Sequence, residues 1–234
     1  MNSTARPRST RDRPAKAPLS EEAVVDAALA ILKAEGLEAV TMRRVAADLD
    51  TGAASLYVYV PGRDGLLEAM LDRVIATVDL EPPDPGRWRT QLHSLLARLH
   101  RALAAHPGIA ATTLADPPPS DAVLRLAENL LGIQLAGGID AQDAAWACDI
   151  FVRLVTAAVI EEDEQRARGR SGERREQADE LRTTFTALPP DRFPMLTGHV
   201  AQMVAGDAGE RFRFAVDVVA DGLVARRSSR TADG

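Results

Sequence analysis

Arg43, Arg44 and Arg63, with Thr41, Ser55, Tyr57 and Tyr59, gather fixed cations and hydroxyl donors in one short stretch of the chain. Guanidinium groups pair with phosphate oxygens and hydroxyls donate to them, so this set suits a nucleic-acid backbone. The elements that must position it are legible. Thr41 can cap a helix over residues 42–49, where Met42, Val45, Ala46 and Leu49 recur at the spacing of one buried face and Arg43, Arg44 and Asp48 point outward. Asp50-Thr51-Gly52 reads as a turn, because glycine takes positive φ without steric cost and aspartate tolerates it better than most residues. A second helix is expected from Ala53 to about Val60, with Leu56 and Val60 packed inward and Tyr57 and Tyr59 projecting. Its first residues, Ala53, Ala54 and Ser55, are small enough to let a helix end approach base edges. Pro61-Gly62 stops it, and Asp64 is placed to cap a third helix from Gly65 to about Val78. Two short helices, a tight turn and a sharp stop are the layout of a helix-turn-helix that reads double-stranded DNA.

Upstream, Ser20 can cap a helix whose stripe of Val24, Ala27, Ala28, Ile31 and Leu32 would cover the other two. With this stretch, Gly36-Leu37 and the segment Leu56-Tyr57-Val58-Tyr59-Val60-Pro61-Gly62-Arg63-Asp64-Gly65-Leu66-Leu67, the chain resembles the tetracycline repressor (TetR) family of ligand-responsive transcription regulators. Asp50 departs from the pattern, which more often has glycine there. The resemblance implies a recognition surface of Ala53, Ala54, Ser55, Tyr57 and Tyr59. Phosphate anchoring or nearby base contact falls by the same resemblance to Thr41, Arg43, Tyr57 and Arg63, and Arg44 also lies where the motif would face DNA.

The formal net charge of −6 runs against DNA binding, so any positive patch must be local. Residues 17–80 carry five basic groups against eleven acidic ones, whereas residues 1–16 carry five against one. Residues 1–18 therefore read as a basic disordered arm, either solvated or tracking phosphates. The expected organisation is all-α: a three-helix DNA-binding domain with its connecting helix at 19–80, and a larger effector-binding and dimerisation domain at 81–227. Pro82-Pro83-Asp84-Pro85-Gly86 marks the boundary. A mobile loop is expected at 165–178, where nearly all residues are polar, and a disordered tail at 228–234.

Beyond residue 80, helices are expected from Trp88 to Ala105, Ile109 to Leu114, Asp121 to about Ala136 with Ser120 as cap, 140–162 and 207–226. The last two are candidates for a four-helix interface between two copies, to which Phe212, Phe214, Val216, Val219 and Leu223 would contribute. Burial of these five within one subunit is the alternative. Leu95, Leu99, Leu103, Ile109, Thr112, Thr113, Leu131, Gln134, Phe151 and Val155 could line an apolar effector cavity with a few polar handles. The same stripe also serves as plain core. Tetracycline sensors of the family hold a magnesium-bound drug with histidine and asparagine, and approximate register places Leu95, Leu99 and Thr113 at such positions. That ligand is therefore not expected here.

Other chemistry finds little support. His93 and His100 lie seven apart on one helix face without the companions a metal site needs, and Cys148 sits among Trp146, Ile150 and Phe151 as a packing residue. A single cysteine excludes an internal disulfide and suits a reducing cytoplasm. There is no G-x-S-x-G, H-E-x-x-H, CxxC or Walker pattern, and no apolar run long enough to span a membrane. The sequence reads as a non-enzymatic, cofactor-free repressor that binds a palindromic operator as a homodimer and is released by a largely apolar small molecule. A DNA-binding protein without effector and an all-helical enzyme are the alternatives.

Overall fold

The structure, a computed structural model, describes residues 18–115, 120–167 and 174–232. The expected basic arm, apart from Pro18, lies outside the described residues. Among the described residues eleven α-helices follow in order: α1 (Glu21–Glu35), α2 (Met42–Asp48), α3 (Ala53–Leu56), α4 (Arg63–Ile75), α5 (Trp88–Ala104), α6 (Asp121–Ala136), α7 (Ala141–Ala167), α8 (Arg174–Thr186), α9 (Pro194–Gly198), α10 (Val200–Val204) and α11 (Ala208–Ala232). Short 3-10 segments cover Leu37–Ala39 and Ile109–Ala115, and no strand occurs among the described residues. The fold is all-α, a small N-terminal helix-turn-helix unit on a larger helical domain.

Three helices start where a hydroxyl side chain can satisfy a first-turn N–H. Ser20 accepts from the Ala23 N–H at 3.2 Å, Thr41 from Arg44 at 3.1 Å and Ser120 from Val123 at 3.3 Å. The apolar stripe of α1 is buried, with Val24 and Ala28 fully covered, and Val45, Leu56 and Leu66 meet it in one core. Leu56 anchors α3; its truncation to alanine would cost about 2–5 kcal/mol. In the larger domain Leu95, Leu96, Leu130, Ile133, Phe151 and Val155 fill the space between α5, α6 and α7.

Several boundaries differ from the sequence reading. In the α2–α3 turn the residue at positive φ is Asp50, at 49°, whereas Gly52 is extended with φ −83° and caps α3. Helix α3 ends at Leu56 rather than near Val60, because Pro61 disfavours helical backbone just before it and the chain turns from Tyr57 onward. Helix α4 begins at Arg63 behind Gly62, whose φ is 101°, so Asp64 lies in the first turn instead of capping it. Helix also reaches into both ends of the expected loop at 165–178: α7 runs to Ala167 and α8 opens at Arg174, while 168–173 lie outside the described residues. Likewise α11 continues to Ala232, into the expected tail, since nothing between Arg226 and Ala232 breaks a helix.

The connector between α4 and α5 is irregular but firmly held. Gln91, 1% exposed, donates to the Pro82 carbonyl at 2.8 Å and accepts from the Asp84 N–H at 2.8 Å. Asn129 donates to the Glu81 carbonyl at 2.8 Å, and Arg98 pairs with the Glu81 carboxylate at 2.7 Å. Gly137 lets α6 end against Trp88, as a Cβ there would lie 2.5 Å from the indole.

Candidate nucleic-acid interface and effector cleft

The helix-turn-helix presents an edge built from the end of α3 and the turn after it. Ala54 and Ser55 are exposed, and Ala53 packs partly on the core. Tyr57 is 59% exposed and Val58 82% exposed. Tyr59, expected to project, is instead half-buried against the core. The early end of α3 is the reason: Tyr57 keeps helical backbone as its C-cap, and in the turn that follows Val58 takes the outward position. Sequence reasoning missed Val58, an apolar side chain that can meet a thymine methyl group. Its signal was Pro61 three residues later.

The three cations differ in commitment. Arg43 is exposed with no ion pair among the described residues. Arg44 reaches Glu35 at 2.7 Å and Asp48 at 3.4 Å, and the Glu35 hydrogen bond is the largest influence raising its pKa. Arg63 is partly buried, its Nε donating to the Val40 carbonyl at 3.0 Å and its Nη2 to the Leu37 carbonyl at 3.3 Å. It therefore holds the start of α2 against α4, in addition to any contact its remaining N–H groups make. Thr41 spends its acceptor on the Arg44 N–H, which leaves its exposed hydroxyl proton free to donate to a phosphate.

Helix α4 links this unit to the rest. Asp72 on α4 accepts from the Ala122 N–H at 3.1 Å, and Arg73 pairs with Asp26 on α1 at 3.0 Å. Asp163 near the end of α7 accepts from the Gly108 N–H at 2.7 Å, and a Cβ at Gly108 would lie 3.1 Å from Leu37 of the N-terminal unit.

A cleft of about 980 Å³ opens between α5, α7, α8 and α11. Its walls include Ser94, Ala97 and Arg101 of α5, Leu154 and Glu161 of α7, Leu181 of α8 and Phe212 and Arg213 of α11. None of the ten residues expected to line an effector cavity borders it. Leu95, Leu99, Leu103, Ile109, Phe151 and Val155 are buried in the core, with Leu131 packed partly against it. Thr112 and Thr113 hydrogen-bond the Ile109 and Ala110 carbonyls at 2.6 and 2.7 Å. Gln134 is fully buried, donating to the Leu130 carbonyl at 3.1 Å and contacting the Cys148 sulfur at 3.3 Å. The stripe that looked like a cavity wall is what α5, α6 and α7 use to pack on one another, and the cleft faces the other flank of α5.

That flank carries His93 and His100. His93 Nε2 lies 2.8 Å from Asp217 on α11, and His100 Nε2 lies 3.2 Å from Glu162 on α7. The His100 ring meets Phe212 at 5.7 Å between centroids. No cluster of three or more potential metal ligands occurs among the described residues. Burial is the main cause pushing the Cys148 thiol up, against a smaller opposing pull from Gln134.

Helices α7 and α11 pack together and leave Trp146, Ile150, Phe214 and Val218 exposed. Of the five residues expected at an intermolecular interface, Val216 and Leu223 are buried within the subunit, Phe212 and Val219 partly so, and Phe214 is 69% exposed.

A helix-turn-helix edge joined through one helix to a larger domain with a ligand-sized cleft defines a class, the one-component DNA-binding regulators. Comparison with known proteins names the family. The model for bacterial regulatory proteins of the tetR family matches residues 24–70, and that for the tetracyclin repressor-like C-terminal domain matches 81–227. The HTH-type transcriptional repressor DrrR1 of Streptomyces coeruleorubidus is 32% identical over 95% of this chain and 86% of its own. The class D tetracycline repressor of Escherichia coli is 26% identical over 82% of this chain and 83% of its own. Among solved structures, Streptomyces coelicolor ActR in complex with actinorhodin superposes with a TM-score of 0.81 at 34% identity, covering 90% of this chain and 99% of that one. The chain belongs to the TetR family and is a ligand-responsive DNA-binding transcriptional regulator. Regulators of this family bind DNA and ligands as dimers. No described helix is long and apolar enough to cross a membrane.

Proposed function

We propose that this chain is a homodimeric repressor of the cytoplasm that binds a palindromic operator and is released by a small molecule seated in the cleft between α5, α7, α8 and α11. The observation that carries the reading is the recognition edge, where Tyr57 and Val58 stand exposed on a helix-turn-helix tied through α4 to the sensing domain. Arg43, Arg63, Thr41 and Tyr57 would anchor phosphates. Arg44 would contribute less, because two carboxylates already hold it. Ala54, Ser55 and Val58 would meet base edges, with Ala53 and Tyr59 supporting them from behind.

A palindrome requires two such edges about 34 Å apart, which one subunit does not provide. The exposed Trp146, Ile150, Phe214 and Val218 supply an apolar face for a second copy. The effector would favour an arrangement of α4 that moves the two edges out of register with the groove. The ActR–actinorhodin complex supports a small-molecule ligand, and a volume of about 980 Å³ accommodates one.

Trp146→Glu combined with Phe214→Glu tests the dimer. The expected result is a folded monomer by light scattering and circular dichroism, with operator binding lost. A variant that stays dimeric, or a monomer that binds operator as tightly as the parent, would contradict the reading.

A further inference from the structure

We propose that the effector is an aromatic molecule carrying an acidic group, and that Arg101 and Arg213 recognise that group. The inference rests on the cleft being the effector site and deepens it. Charge in the cleft is unevenly committed. Each carboxylate on its wall already has a donor: Glu161 from Gln165 at 3.2 Å, Glu162 at His100 and Asp217 at His93. Arg211 donates to the Met203 and Ala205 carbonyls at 2.6 and 2.8 Å. Arg101 on α5 and Arg213 on α11 border the same cleft and have no partner among the described residues. The donors left unused on the cleft wall are therefore these two guanidinium groups, in a protein whose formal net charge is −6.

The remaining wall selects the ligand's body. His100 and Phe212 set two tilted rings side by side, and Leu181 and Met203 keep apolar surface open to the cleft, 47% and 40% exposed. A flat ring system covers that surface and stacks on Phe212, while a carboxylate or phenolate at its edge accepts N–H groups from the guanidinium forks. A cationic ligand would find both free positions occupied by like charge.

Isothermal titration of the full-length protein with anthraquinone-2-carboxylate and its neutral carboxamide tests this. The carboxylate should bind roughly tenfold more tightly than the amide, and Arg101→Gln with Arg213→Gln should shrink that ratio to about twofold or less. Equal binding of the two probes, or a preference that survives both substitutions, would overturn the anion assignment. Phe212→Ala separates this from the cleft itself. Probes that bind equally yet weaken on Phe212→Ala leave the cleft as the effector site and remove only the anion preference. Binding that ignores Phe212→Ala, or no binding of either probe at millimolar concentration, overturns both.

Discussion

Asp72, on the helix that ends the DNA-reading unit, accepts a 3.1 Å hydrogen bond from the Ala122 N–H in the first turn of α6. A carboxylate from one part of the molecule thereby helps to cap a sixteen-residue helix of the other, where the helix dipole favours negative charge. Asp72→Ala is expected to lower stability by about 1 kcal/mol, and Asp72→Asn, which keeps an acceptor, by less. Urea unfolding checks the pair. An unchanged midpoint for Asp72→Ala would show that this bond does not join α4 to the sensing domain.

Arg43 and Arg44 are neighbours in sequence with opposite commitments. Neutralising the unpaired Arg43 with alanine should weaken binding to any duplex and reduce the slope of log affinity against log salt by about one. Arg44→Ala should leave that slope nearly unchanged, because Glu35 and Asp48 already balance its charge. Fluorescence anisotropy over a salt series distinguishes them; equal slope changes would mean that Arg44 leaves its carboxylates on DNA.

Arg63 joins α4 to the carbonyls of Leu37 and Val40 through two different nitrogens. Lysine retains the charge but not the fork, so Arg63→Lys should lose more than half of the binding free energy that Arg63→Ala loses. Full rescue of DNA affinity by lysine would reduce the role of this residue to a point charge facing phosphate.

Much of this was legible in the sequence, for identifiable reasons. Ser20, Thr41 and Ser120 act as the caps their positions suggested, because capping is local and depends on few atoms. Helix types and the stripe of α1 followed from periodicity. Tyr57 is exposed as expected, whereas the turn after α3 turns Val58 outward and leaves Tyr59 half-buried. None of the ten residues read as a cavity wall borders the cleft between α5, α7, α8 and α11. Leu95 and Leu99 repeat at helical spacing just as a cavity wall would, and periodicity cannot tell a wall from a packed interface. His93 and His100 marked the open flank of α5, but their partners Asp217 and Glu162 are far away in the chain.

The strap between the two parts should loosen in acid. The Arg98 hydrogen bond is the largest influence holding the Glu81 carboxyl below the ordinary glutamate range. A depressed folded value means that the stabilisation is complete above that range and is lost as pH falls through it toward the folded value. The urea midpoint should therefore drop as pH falls below the ordinary glutamate range, and Glu81→Gln should flatten that part of the profile. A variant whose acid profile matches the parent's would assign the loss to other carboxylates.

Selection of random duplex DNA by the full-length protein at near-physiological salt, followed by sequencing of the bound pool, tests the central claim most directly. An enriched inverted repeat, with half-sites about one helical turn apart, is the predicted result. A folded, dimeric protein that enriches no sequence would contradict it.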